Sequence, residues 1–425
     1  LLYISGKPFK KAEIGADDEA TLKEYAERTY AYFSSLGDKD LPCDNVQIFP
    51  PNGKSKTTSP TNIGYALLAR VCAAELDIIS PLRASSDISV LISDCEKLKK
   101  WNGHLYNWYD VATKTPVNPY FVSSVDSGNF IAALIVVKEF CAAKGFQDIA
   151  VRCEKLIDET DFSALTDKSK NRLYIGYNVG AKRYEGHYDI LASEARLTAY
   201  IACCLSGDGA LWGSLSRIQV NSFGNVLASW SGTAFEYLMP QLFLPDVEGS
   251  LVTASAKRAV KTFIKSSCNG LWGISESGYY AFDGNAHYQY KAHGLSVLSL
   301  RNADDRCGIS PYSSAMAIPY APEKSIENLK KLRECGAYGD MGFYEAIDFS
   351  AGKNTVSSHM THHQGMLLCA LTNALSGDVI RKYFTADEKM RGGEIMLEEP
   401  ESKLSTVKRK RKDFVYDRKE GGYSY

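Results

Sequence analysis

The feature that most constrains this chain is the recurrence of apolar residues at three- and four-residue spacing, a pattern that lines side chains along one face of an α-helix. It occurs around residues 18–35, 61–79, 126–144, 188–204, 251–265, 287–300, 324–335 and 355–375, and in shorter form at 86–99, 147–157 and 231–243. Between these segments fall loops rich in Gly, Pro, Asn and Ser, such as Phe49 to Pro60 and Asn171 to Gly186. Capping signals open several of them: Thr61-Asn62 after Pro60, Asp126-Ser127, Ser193 ahead of Ala195, and Ser231 before an apolar run. About a dozen helices over roughly 400 residues gives one per ~33 residues, helix and connection together. The expected fold is all-α, with six helical hairpins closed into an (α/α)6 barrel. The strand-like stretch Arg172 to Tyr177 is expected to form a small β-hairpin beside it. No internal repeat points to a solenoid. No break in composition marks a second domain, so 1–400 reads as one domain and 401–425 as a polar, basic tail or linker.

Charge and composition exclude several function classes. Lys and Arg number 49 against 50 Asp and Glu, a formal net charge of −1, whereas a protein living on phosphate contacts carries a basic surplus. No nucleic-acid partner is expected, and the basic run Lys408 to Lys412 reads as a solvated linker. No stretch of eighteen apolar residues would span a bilayer. The chain begins at Leu1 with no secretory pattern, which reads as an excised domain or a processed product. The eleven cysteines are odd in number and scattered, without C-x-x-C spacing. The expectation is reduced thiols in the cytoplasm.

Aromatic residues reach 11%, with 26 Tyr and five Trp, and many sit in polar surroundings rather than apolar runs. Examples are His104 to Asp110, Trp272 to Ser277, and His287-Tyr288-Gln289-Tyr290. Sugar rings present C–H faces that pack on aromatic rings and hydroxyls that need Asn, Asp, Gln and His. Glycoside chemistry also needs two carboxyl groups flanking the anomeric carbon. Glu194, Glu236, Glu276, Glu345, Asp348, Asp110 and Asp126 are all eligible, and each has an alternative as a helix-capping or ion-paired carboxylate. Residue types alone do not choose two from these seven. His359, His362 and His363 stand at i, i+3 and i+4, one face of a helix if the segment is helical. With no H-E-x-x-H beside them they read as sugar-bonding or core polar groups, and neither a metal nor a cofactor is expected.

Several longer strings carry a resemblance. They are Tyr-Asn-Trp-Tyr-Asp at 106–110, Val-Asp-Ser-Gly-Asn at 125–129, Tyr-Asp-Ile-Leu-Ala-Ser-Glu-Ala-Arg at 188–196, and Ser-Trp-Ser-Gly-Thr-Ala-Phe-Glu-Tyr-Leu-Met-Pro at 229–240. Trp-Gly-Ile-Ser-Glu-Ser at 272–277, Gly-Phe-Tyr-Glu-Ala-Ile-Asp at 342–348, His-His-Gln-Gly-Met at 362–366 and Thr-Ser-Pro-Thr-Asn-Ile-Gly at 58–64 extend it. In order, from about residue 20 to about 400, the chain resembles the glycoamylase-like domain of bacterial cyclic β-1,2-glucan synthases, glycoside hydrolase family 189, related to the endo-β-1,2-glucanases of family 144. The resemblance implies an (α/α)6 barrel that cuts linear β-1,2-glucan and joins the ends by retaining transglycosylation. It implies Glu194 as nucleophile and Glu276 as acid/base. Around them it implies sugar contacts from Asn107, Trp108, Tyr109, Asp110, Asp126, Asn129, Arg196, Trp230, Glu236 and Trp272. Tyr288, Gln289, Tyr290, Tyr344, Glu345, Asp348, His362, His363 and Gln364 complete that set. Arg196 is expected to favour the ionised Glu194 if the two side chains meet, and Trp272, Ile274 and Tyr279 to desolvate Glu276. His359 and His287 depart from the Tyr and Asn usual there, and His293 replaces a more apolar residue. Flanking domains of a larger synthase are candidate partners. The alternatives are a β-1,2-glucan hydrolase on the same scaffold, and a glycan-binding module without catalysis.

Overall fold

Two kinds of helix alternate along the chain. The computed structural model describes residues 7, 14–37, 41–301, 305 and 308–401; the basic run Lys408 to Lys412 and the rest of the tail beyond Glu401 lie outside the described residues. Helices α1 (Ala16–Leu36), α2 (Pro60–Glu75), α3 (Pro81–Lys97), α4 (Ser124–Ala143), α5 (Gln147–Asp158) and α6 (Ala195–Ser206) make up the first half. Then come α7 (Ala210–Ser214), α8 (Ala234–Leu238), α9 (Leu251–Lys265), α10 (Pro311–Met316), α11 (Pro322–Glu334) and α12 (Thr361–Leu375). Every residue of α2 from Pro60 to Ala74 is buried, and α4 and α12 are nearly as enclosed. Helices α3, α5, α9 and α11 bury a single stripe, such as Ile149, Ala150, Cys153, Leu156 and Ile157 of α5. A helix apolar all round must be covered on all sides, and one with a stripe lies outside.

The packing follows that division. Helix α2 lies between α4 and α12, α4 continues to α6, and α12 continues through α10 to α8. The Arg196 guanidinium closes the circuit from α6 to α8 by donating to the Tyr237 carbonyl at 2.9 Å. Outside, α1 covers α12 and α2, α3 and α5 cover α2 and α4, and α7, α9 and α11 pack on α6, α8 and α10.

The all-α expectation is corrected: the protein is helix-rich but carries many short antiparallel strands. The expected hairpin at Arg172 to Tyr177 is present as Arg172–Asn178 paired with Arg183–His187, within a larger sheet that includes Asn107–Asp110 and Pro116–Ser123. The segment 287–300 is not a helix. Tyr288–Ala292 pairs with Glu276–Phe282, and Gly294 lies so close to Ser231 that a Cβ there would sit 1.9 Å from its carbonyl oxygen. Residues 355–360 are largely extended, and α12 begins only at Thr361. His359 therefore sits on a strand opposite Val46, not on a helical face with His362 and His363. Helix α6 begins at Ala195 rather than 188, leaving 188–194 as a loop. The side-chain caps of α2, α4 and α8 are Ser59, Ser123 and Thr233, each one to three residues from the expected signal. The described cysteines are free thiols, and among the described residues no helix is long and apolar enough to cross a membrane.

Glycines set the spacing of the enclosed helices. A Cβ on Gly365 of α12 would stand 2.3 Å from the Tyr65 Cβ of α2, and one on Gly128 of α4 2.0 Å from the Thr198 Oγ1 of α6. The Thr198 Cα would be 2.9 Å from that same added carbon, so rotating the side chain does not relieve the clash. Gly128→Ala is predicted to cost about 1–3 kcal/mol through overpacking, more than the up to about 1 kcal/mol gained in helix propensity. Denaturant unfolding of the variant should show a lower midpoint; an unchanged or raised one would mean that α4 and α6 are not held this close.

Candidate active site

The N-terminal turns of the enclosed helices carry polar residues where the rest of each helix is apolar. Thr61 stands at the start of α2, Asp126 and Asn129 of α4, Glu194 immediately before α6, Glu236 in α8, Tyr312 in α10, and His362 and His363 in α12. Thr61 Oγ1 donates to Asp126 Oδ1 at 2.6 Å and accepts from Asn129 Nδ2 at 3.1 Å. The Glu194 side chain bonds no helix amide; its Oε1 accepts from the Tyr188 hydroxyl at 3.0 Å. Glu276 enters from the hairpin that follows α9, with Oε2 accepting from the Tyr290 hydroxyl at 3.3 Å and its backbone carbonyl from the Tyr312 hydroxyl at 2.8 Å.

These two carboxyls are half-buried at one site, where the charge of Glu276 reaches Glu194. Burial pushes the Glu194 pKa up, and the charges of Glu276 and Asp126 push it further, against the opposing Tyr188 hydrogen bond. Burial likewise raises Glu276, reinforced by Glu236 and opposed by the Tyr290 hydroxyl and Arg301. Both are carried toward neutrality. The expectation that Arg196 keeps Glu194 ionised is corrected. The Arg196 guanidinium is buried and donates to the Leu191 and Tyr237 carbonyls and to Gln241 Oε1, in the seam between α6 and α8.

Other expected sugar contacts have partners within the fold. Glu236 completes the capping box of α8, and its carboxylate accepts from the Ser229 and Thr233 hydroxyls and the Trp230, Ser231 and Thr233 amides. Tyr109 is fully buried and donates to the Lys99 carbonyl, and Asp110 closes an exposed turn through Thr113. Trp272 lies in the core with its backbone clasped by Asn328. Gln289 is exposed and bonds Tyr279, whereas Tyr288 reaches Thr355 and Ser357. Asp348 accepts from the Tyr280 and Ser350 amides; burial opposes its charge, but these N–H groups outweigh it and hold the carboxyl below its usual range. Gln364 donates to the Phe343 carbonyl, and the Tyr344 ring lies against His359. Asn107 and Trp108 lie on the strand Asn107–Asp110, the Asn107 amide oxygen buried without a hydrogen-bond partner. The Trp230 indole hydrogen-bonds Asp189, whose carboxyl burial pushes up.

Behind Glu276 lies a second buried acid. Glu345 Oε1 accepts from His363 Nδ1 at 2.8 Å and from the Gly278 amide at 3.1 Å, and burial raises its pKa to about 7. His362 and His363 are both pushed down to about 3 by burial and are neutral at physiological pH. Tyr188, Asp189 and Tyr312 were not among the expected site residues. Tyr188 and Asp189 open the same 188–196 string as Glu194, but Tyr312 lies outside all the quoted strings, and no spacing linked it to Glu276.

The fold and site define a glycoside-hydrolase-like scaffold. The Glycoamylase family model matches residues 208–388, a span containing Glu276 but not Glu194. The structure is similar to an endo-β-1,2-glucanase from Chitinophaga pinensis, in complex with sophorotriose and glucose, at 17% identity and a TM-score of 0.73, covering 91% of this chain and 98% of that one. It is also similar to a mutant endo-β-1,2-glucanase of Talaromyces funiculosus, in complex with β-1,2-glucan, at 12% identity and a TM-score of 0.67, covering 90% of each chain. In sequence the chain is 26% identical to the cyclic β-(1,2)-glucan synthase NdvB of Rhizobium meliloti over 93% of its own length and 19% of that protein's. A little over two fifths of the chain thus matches that family model, and the chain spans about a fifth of the curated relative it matches.

Two expected outcomes follow from the site. Glu236→Ala leaves several buried donors without an acceptor at about 1–3 kcal/mol each, so unfolding free energy should fall by at least about 3 kcal/mol. A near-neutral result in denaturant unfolding would mean that the carboxylate is not a structural clasp. For Glu194 the folded pKa is raised, so the folded state binds its proton more tightly than the unfolded chain. That stabilisation is fully present below the unfolded carboxyl value and is lost as pH rises through the raised one. Glu194→Gln should therefore gain stability relative to the parent between pH 6 and pH 9; parallel pH–stability curves would contradict the buried charge.

Proposed function

We propose that this chain cleaves linear β-1,2-glucan and transfers the glycosyl unit to a sugar hydroxyl with retention, on a helical ring that is an (α/α)6 barrel. The alternation of enclosed and striped helices supports the barrel. The observation that carries the activity is the pair of half-buried carboxyls at helix and strand beginnings, Glu194 and Glu276, both raised by desolvation, with the charge of Glu276 acting on Glu194. Strongly perturbed carboxyls in one cleft are what general acid and nucleophile roles require.

In this mechanism Glu276 gives its proton to the glycosidic oxygen as the bond to the anomeric carbon breaks, and Glu194 forms the new bond to that carbon. The acceptor hydroxyl then attacks the glycosyl-enzyme, loses its proton to Glu276 and releases Glu194. Glu194 is the better placed to be ionised once substrate divides the pair. Its tyrosine bond is the shorter, 3.0 Å against 3.3 Å, and it lies at the N-terminus of α6, where the helix dipole favours negative charge. The sequence relationship to a cyclic β-(1,2)-glucan synthase supports sugar as acceptor, with further domains of such a synthase as partners in the cytoplasm. The glucanase folds support a second reading in which water is the acceptor. Two half-buried carboxyls, both raised by desolvation, argue against a module that only binds glycan.

Incubation with linear β-1,2-glucan separates these readings. Cyclic products are expected; shortened linear products alone would favour hydrolysis, and intact substrate would remove both. Glu276→Gln should lower turnover by at least about 100-fold while sugar binding by calorimetry persists, and undiminished turnover would remove the acid/base assignment.

A further inference from the structure

Glu345, His363 and Tyr290 are three of the residues the motifs implied as sugar contacts, yet they form one connected path to Glu276. The side chains of Glu345 and His363 are each 1% exposed. Glu345 Oε1 faces His363 Nδ1 at 2.8 Å, and above about pH 7, where Glu345 is ionised, its carboxylate can only accept, so the hydrogen belongs on Nδ1. A neutral imidazole with Nδ1–H leaves Nε2 as an acceptor, and Nε2 lies 3.5 Å from the Tyr290 hydroxyl. That hydroxyl is 3.3 Å from Glu276 Oε2. One phenolic proton thus lies between two acceptors. Tyr312 braces the path, with its ring stacked on His363 at 4.0 Å and its hydroxyl on the Glu276 carbonyl at 2.8 Å. Glu345 also holds the strand itself, because Gly278 lies two residues beyond Glu276.

We propose that Glu345, His363 and Tyr290 are a positioning relay for Glu276, in which the Tyr290 proton turns to His363 while Glu276 is protonated and to Glu276 once it has ionised. This rests on the reading of Glu276 as acid/base. The relay favours the carboxylate left after proton donation and keeps the protonated form free to face the glycosidic oxygen. The other charges acting on Glu276 are Glu236 and Arg301, with Glu194 sharing its cleft, and none of these lies on the relay.

Two measurements test it. In protein labelled with ¹⁵N-histidine at pH 8, where Glu345 is ionised, the His363 ring should be the neutral Nδ1–H tautomer; a protonated Nε2 there would overturn the relay whether or not the chain is active. On linear β-1,2-glucan, Tyr290→Phe removes the donor to the ionised acid. The alkaline limb of its kcat/KM profile should move up by about half a pH unit or more, with kcat reduced and KM within about two-fold. A raised KM with an unmoved limb would instead make Tyr290 a sugar contact. Glu345→Gln, which keeps an acceptor for both Nδ1–H and Gly278 N–H, should retain the parent limb, whereas Glu345→Ala should not, with thermal melts confirming that each variant is folded. Full turnover by Glu276→Gln would dismiss the underlying assignment, while an inactive Glu276→Gln beside an unmoved Tyr290→Phe limb would dismiss the relay alone.

Discussion

The close approach of the enclosed helices is the constraint on which the rest of the structure depends. Where Gly365 meets Tyr65 and Gly128 meets Thr198, the backbones stand nearer than any side chain would allow. Native cores are packed as densely as organic crystals, so such contacts fix helix positions closely. With α12 seated on α2 and α6 on α4 in this way, the beginnings of the enclosed helices carry Thr61, Asp126, Glu194, Glu236, Tyr312 and His363. The site is therefore a property of the ring, and no single segment could fold into it alone.

The same enclosure explains the electrostatics. Desolvation is the largest influence on Glu194, Glu276 and Glu345 alike, and it raises all three. A carboxylate withdrawn from water is destabilised unless donors surround it. Glu236 shows the opposite solution within the same site: its two oxygens are met by amides and hydroxyls from Ser229 to Thr233, so its charge is absorbed by the fold. Glu236 and Glu276, forty residues apart in sequence, thus differ in surroundings: among the described residues the first carboxyl is met by five hydrogen-bonding groups and the second by a single phenol.

This contrast also marks what could be read from the chain beforehand. Helical spacing correctly placed α1, α2, α4, α9 and α11, where burial and periodicity agree. It failed at 287–300, where the apolar residues of 295–298 imitate a helix but Tyr288–Ala292 is held as a strand by its partner Glu276–Phe282. Strand pairing between separated segments leaves only a two-residue alternation in each, too short here to compete with the helical signal. The motif strings mixed two kinds of residue. Gly128, Gly365, Tyr109 and Trp272 serve packing, whereas Glu194 and Glu276 face the cleft, and sequence pattern alone does not separate them.

The turning away of Arg196 is the clearest case in which the structure improves on sequence adjacency. A guanidinium hydrogen-bonded to either cleft carboxyl would hold it permanently ionised and lower its pKa, because Arg cannot give up its charge. A carboxyl that gains and loses a proton needs donors that can follow the charge. A phenol supplies one rotatable hydrogen and also accepts, so it can serve a carboxyl in either state. Among the described residues, the side-chain hydrogen bonds to the Glu194 and Glu276 carboxyls come from Tyr188 and Tyr290. The tyrosine-rich composition first read as a surface for sugar rings thus has a second physical use. Beside Glu194 and Glu276, the hydroxyls of Tyr188 and Tyr290 stand where a hydrogen-bonded guanidinium would hold a carboxyl ionised.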